Sequence, residues 1–210
     1  IFLFGFTATG FSQYSAGNGS NPENDSIRCM MDISSYREFY KKNRYDYAHG
    51  PWLIAFDNCP RYSERIFVDG VNMYRQFIES DPEGPVKENR IDTLMLIYDR
   101  RMEYFGGEGN ILGRKAQDLL TYRGDDIGQV HEAYKMLKRS LELEGDDSRE
   151  PVLVLLISAG TNLKREGIIE ADQLISDYLM VRETVDQLNT SSSRKERTLN
   201  SITEIVLKGG

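Results

Sequence analysis

Ala48-His49-Gly50-Pro51-Trp52-Leu53-Ile54-Ala55-Phe56-Asp57-Asn58-Cys59-Pro60 is the stretch on which the fold turns. Ala48 and Ala55 are small enough to let a neighbouring helix approach closely. Trp52, between them at helical spacing, is large enough to fill the gap toward the next element. Pro60 ends the helix, because its ring and missing N–H prevent continuation. Pro51 falls inside this helix or at its first turn.

The helical signal continues in both directions. From about Ser26 onward, apolar residues recur every three to four positions. Tyr36, Phe39 and Tyr40 form one such set; Ile66, Val71, Tyr74 and Ile78 form another. Further sets are Leu94, Ile97, Tyr98, Met102 and Phe105, then Tyr134, Leu137 and Leu141, then Leu174, Ile175, Tyr178 and Leu179. Breakers separate them at Asn58–Pro60, Asp81–Pro85, Gly106–Gly109, Gly124–Asp126, Gly145–Glu150 and Gly167. Val152–Ile157 has strand character, being β-branched and continuous. Its neighbours are all helical and Pro151 suits a first helical turn, so it reads as helix. The expected fold is all-α, with roughly 8–9 helices arranged as stacked antiparallel hairpins in an α-solenoid.

Ala48-x3-Trp52-x2-Ala55-x4-Pro60 resembles the second-helix half of a tetratricopeptide repeat (TPR) spanning residues 29–60. Phe39 occupies the aromatic position of the first helix, whereas Asp32, Ser35, Tyr36 and Pro51 depart from the pattern. Weaker echoes follow at Ala133-x3-Leu137, Leu155-x3-Ala159 and Ala171-x3-Ile175. The wider series of Pro51-Trp52, Val68-Asp69-Gly70, Ile91-Asp92-Thr93-Leu94-Met95, Tyr104-Phe105-Gly106 and Leu112-Gly113-Arg114-Lys115 is similar to a family of secreted TPR-type proteins of Bacteroidetes. The resemblance covers about Cys29 to Glu183. It implies an extracytoplasmic helical-repeat protein without known catalytic residues.

Composition narrows the function classes. The 210 residues include 26 basic and 33 acidic side chains, a formal net charge of −7. That balance argues against a nucleic-acid binder, which needs a basic face to displace counterions from phosphates. Two widely spaced Cys cannot make a zinc finger, and two His give few candidates for His-dependent catalysis. No metal or cofactor is expected.

The N-terminal Ile1-Phe2-Leu3-Phe4-Gly5-Phe6-Thr7-Ala8-Thr9-Gly10-Phe11 reads as the apolar region of a clipped signal peptide, too short to span a bilayer. The expected organisation is a signal remnant over 1–13, a flexible linker over 14–27 and a TPR-like helical repeat domain over 28–210, truncated at its C-terminus. This places the protein outside the cytoplasm, in the periplasm or at the surface of a Gram-negative bacterium, without a transmembrane segment.

Cys29 and Cys59 stand at the beginning and end of the first hairpin. Antiparallel pairing brings those ends together, and in an oxidising compartment a disulfide is expected. Ile33, Arg37, Tyr40 and Lys41 fall where TPR proteins face ligand, and the basic groups suit a carboxylate-bearing peptide. Gly106–Lys115 invites a phosphate-loop reading, but its spacing fails. Arg114 intervenes before Lys115, and Ala116 replaces the hydroxyl residue. What remains is an anion contact from Arg114 and Lys115 at a helix expected to start near Asn110. Asp92, Asp99 and Glu103 lie near one helical face, close to Arg100 and Arg101, and read as a solvated, salt-bridged surface. His49 and His131 read as structural or surface residues.

The expected function is a non-enzymatic scaffold for a protein or peptide partner in the cell envelope. The competing classes are a carbohydrate- or cell-wall-binding module and a carboxylate-based glycan hydrolase.

Overall fold

A computed structural model describes residues 22–209. The expected signal remnant, and the linker up to residue 21, lie outside the described residues. Among the described residues the protein is all-helical, with nine α-helices. These are α1 (Pro22–Tyr40), α2 (Tyr45–Asn58), α3 (Arg65–Ser80), α4 (Pro85–Phe105), α5 (Glu108–Arg123), α6 (Ile127–Glu144), α7 (Glu150–Arg165), α8 (Ala171–Gln187) and α9 (Ser192–Gly209). α1 begins inside the stretch read as linker.

The helices end where the chain chemistry requires it. Gly106 and Gly107 both adopt positive φ, 69° and 70°, between α4 and α5. That is the left-handed conformation glycine adopts without penalty. The glycine-rich segment is therefore a helix-ending turn. Asp126 caps α6, accepting hydrogen bonds from the amides of Gly128 and Gln129 at 2.8 and 3.2 Å, which satisfies donors left over at a helix start. Pro51 lies within α2, and Val152–Ile157 lies within α7.

Helices adjacent in sequence pack on one another along the whole described chain, most closely α5 on α6, α1 on α2 and α3 on α4. α7 packs on α9 as well as on α6 and α8. Cys29 and Cys59 form a disulfide with 5.6 Å between their Cα atoms, tying α1 to the end of α2.

Trp52 locks α2 onto α3. It is fully buried, and its indole N–H donates to the Ile66 carbonyl at 2.7 Å. It reaches that carbonyl because Gly70 has no side chain. A Cβ there would stand 2.4 Å from the indole ring. Phe56, Tyr74 and His49 pack around the same ring. A second close approach joins α5 to α6 and α7 at Gly113, where a Cβ would meet Val152 at 2.6 Å and Ser140 at 2.9 Å. The core around α6, α7 and α8 is mainly aliphatic, built from Leu137, Leu153, Leu156, Ile157, Val181 and Val185. No described helix is long and apolar enough to cross a membrane.

Candidate functional site

The described residues bury three carboxylates, Asp69, Asp118 and Asp177, each less than 5% exposed (2%, 4% and 1%). A carboxylate out of water is costly unless it is paired and hydrogen-bonded. Each of the three meets that need in the same way, with a tyrosine hydroxyl and at least one cation. The tyrosine hydroxyls of Tyr36, Tyr98 and Tyr134 donate to Asp69, Asp118 and Asp177 respectively. The cations are Arg37 and Arg65 at Asp69, Arg75 at Asp118 and Lys138 at Asp177.

Two of these clusters connect odd-numbered helices into one polar seam. On α1, Tyr36 bonds Asp69 of α3 at 3.2 Å, and the Tyr40 hydroxyl accepts from Asn72 of α3 at 3.0 Å. On α3, Arg75 donates from Nε to both oxygens of Asp118 on α5 at 3.0 Å and from Nη2 to the Tyr98 hydroxyl at 3.1 Å. Tyr98, from α4, completes the set at 2.7 Å from Asp118. Burial, and then the neighbouring carboxylate charge, push the Tyr36 and Tyr98 hydroxyls well above the ordinary tyrosine range. They stay protonated and act as donors. Burial also raises the Asp69 carboxyl, against the pull of Tyr36, Arg65 and Arg37.

Ile33, Arg37 and Lys41 come together on the outer side of α1, lining a shallow depression of about 360 Å³ with Ser34, Glu38 and Lys42. Ile33 is buried, so it forms the floor of this depression and not part of an open wet face. Tyr40 turns toward α3 and does not line the depression. Arg37 bridges the two environments. Its Nε lies 4.0 Å from Asp69, is shut from water and has no hydrogen-bond partner among the described residues.

The other sequence candidates fall outside the seam or on its flank. Lys115 pairs with Asp99, and Arg123 pairs with Asp92 and Glu88. Asp92 and Asp99 are thus ion-paired surface groups. Arg114 donates to the neutral Asn110 at 2.9 Å and has no carboxylate within 4.0 Å among the described residues. His49 is half-buried against Trp52 and Phe77, 3.0 Å from the Tyr74 hydroxyl, and burial lowers its pKa. It is structural.

Asp69, Asn72, Arg75, Asp118 and Asp177 were not among the candidate site residues read from sequence, and Tyr36, Tyr98 and Tyr134 were read as members of apolar helical sets. One signal marks the three acids. Each interrupts an apolar stripe at helical spacing: Ile66–Asp69–Met73, Ile111–Asp118 beside Leu119, and Leu174–Asp177–Val181. An acid on a buried stripe must have partners.

No family model matches this sequence, and no curated protein matches it.

Proposed function

We propose that the protein is a non-enzymatic scaffold of the cell envelope, a TPR-like solenoid of helical hairpins related to the secreted Bacteroidetes proteins it resembles. A peptide segment of a protein partner docks beside the seam on α1. The observation that carries this reading is the α1 depression, where Arg37 and Lys41 flank a buried Ile33 and the Arg37 Nε has no partner of its own. A carboxylate-bearing peptide would pair with the accessible part of the Arg37 side chain, which is 36% exposed, and with the exposed Lys41. The sequential packing of the helices and the polar links between α1, α3 and α5 support a rigid repeat array. The Cys29–Cys59 disulfide supports an oxidising, extracytoplasmic compartment, periplasmic or at the cell surface.

The test is a pull-down from envelope extracts with the intact chain and with an Arg37→Gln, Lys41→Gln variant. The wild type should recover a stoichiometric protein partner that the variant loses. Equal capture by both, or binding of purified glycan in place of protein, overturns the reading.

A further inference from the structure

Exposed apolar side chains that stand singly, such as Leu96 of α4 and Leu143 of α6, are ordinary surface and need no explanation. α8 is different. It packs on α7 and α9, with Leu174, Asp177, Val181 and Val185 on its inner face, and the Tyr178 hydroxyl on its flank meets the Thr203 hydroxyl of α9 at 2.9 Å. The opposite side of the helix carries Ile175 and Leu179, one turn apart and each more than half exposed (56% and 57%). Asp172 lies one turn before Ile175, and Arg182 one turn after Leu179, both exposed. The successive spacings of three, four and three residues place all four on one outward stripe.

Neither charge on the stripe is neutralised within the chain. Among the described residues, the Asp172 carboxylate and the Arg182 guanidinium have no ionic partner within 4.0 Å. The stripe reads acid, apolar, apolar, base, so it is its own complement when reversed. Laid antiparallel against a second α8, about a two-fold axis level with position 177, Ile175 meets Leu179 of the second copy and Asp172 meets its Arg182. Symmetry repeats both contacts, giving an apolar centre flanked by two ion pairs. Parallel pairing would instead set Asp172 against Asp172 and Arg182 against Arg182, and like charges disfavour it. Asp186 would fall opposite position 168, ahead of the opposing helix, and takes no part.

We propose that the outer face of α8 is a homodimerisation surface, on which two copies of this chain associate as an antiparallel, two-fold helix pair. The occupant is a second copy because the stripe supplies its own complement in both charge and apolar contact. From Asp172 to Arg182 it spans about 15 Å of a helix about 10 Å wide, less than the roughly 800 Å² per partner of a standard interface. The dimer is therefore a reversible one, dissociating at about 10–100 μM. The stripe lies apart from the α1 depression, so it stands or falls independently of partner docking there.

The test is sedimentation equilibrium of the purified full chain from about 1 μM to about 500 μM, which brackets that range. The wild type should pass reversibly from monomer to dimer. Leu179→Asp should leave it monomeric throughout. Asp172→Arg and Arg182→Asp each set like charges against one another twice, and each should weaken the dimer by about tenfold. The double variant Asp172→Arg, Arg182→Asp restores opposite charges in the same register and should dimerise within about threefold of the wild type. The substituted side chains are exposed and outside the core, so circular dichroism and thermal melting of dilute samples should match the wild type, which separates lost association from lost folding. A chain that stays monomeric at every concentration overturns the proposal. So does a dimer indifferent to these substitutions, or a double variant that associates no better than the single ones.

Discussion

The Asp118 and Asp69 clusters use the same parts and end in different states. At Asp118, Arg75 grips both carboxylate oxygens at 3.0 Å and Tyr98 closes in at 2.7 Å. At Asp69, Tyr36 stands at 3.2 Å, while Arg65 and Arg37 remain 3.6 and 4.0 Å away. The first cluster is saturated and holds α3, α4 and α5 together. The second is buried equally well but incompletely paired, and its spare donor, Arg37, borders the α1 depression. Stability resides in the closed cluster. The partner docking we propose would use the open one, which the disulfide stands beside.

The largest effect should come from that disulfide. Reducing Cys29–Cys59 opens a loop spanning a sequence separation of 30. The chain-entropy account gives a loss of roughly 3–4 kcal/mol. Amide hydrogen exchange should show α1 and α2 losing protection first while the Asp118 region keeps its own. Uniform loss across α1 to α5 would mean that the staple supports both clusters equally.

Next comes the carboxylate itself. Asp118→Ala leaves the Arg75 guanidinium and the Tyr98 hydroxyl unmatched inside the protein. The expected cost is about 3 kcal/mol, near the low end for a broken buried pair because Arg75 is about one-third exposed (34%). Asp69→Ala should cost only about 1 kcal/mol, since its cations are more exposed and already distant. Urea unfolding measures both. Equal costs would erase the distinction between the clusters. On a smaller scale, Tyr98→Phe should destabilise by about 1.5 kcal/mol, and Tyr36→Phe by less because its bond is longer.

Much of the fold was legible because helix boundaries are written locally. Gly106-Gly107, Gly124-Asp125-Asp126 and Pro85 mark ends that the structure places there to within a residue or two. α5 starts at Glu108, slightly before the expected Asn110, because Gly107 already supplies the left-handed turn. The role of Trp52 was also readable, since an aromatic between two alanines on a helix has to fill a gap. The seam was half legible. Arg37 and Tyr40 stood out as polar residues on one face of α1, but their partners Asp69 and Asn72 are 32 residues away in sequence from Arg37 and Tyr40 respectively. Spacing within one helix does not say which helix it will face. Ile33 was assigned to the ligand-facing side by the resemblance to TPR proteins, yet packing against neighbouring residues covers it. Lys115 looked like an anion contact until α4 brought Asp99 to it.

The smallest effect is the most specific test of the open cluster. Burial holds the Asp69 carboxyl above its ordinary value of 3.8, because its incomplete pairing does not offset desolvation. A raised acid pKa means that the folded chain retains a proton the unfolded chain has released. The associated stability is fully present below the ordinary value and is lost as pH rises through the raised one. Asp69→Asn mimics the protonated form at every pH. Its stability relative to the wild type should therefore improve between about pH 4 and pH 7, with the change concentrated just above the ordinary carboxyl range. Urea midpoints for the two proteins across that range give the difference directly. A flat difference would mean that Arg37 and Arg65 compensate the Asp69 charge as fully as Arg75 grips Asp118. In that case Arg37 would have no capacity left for a partner.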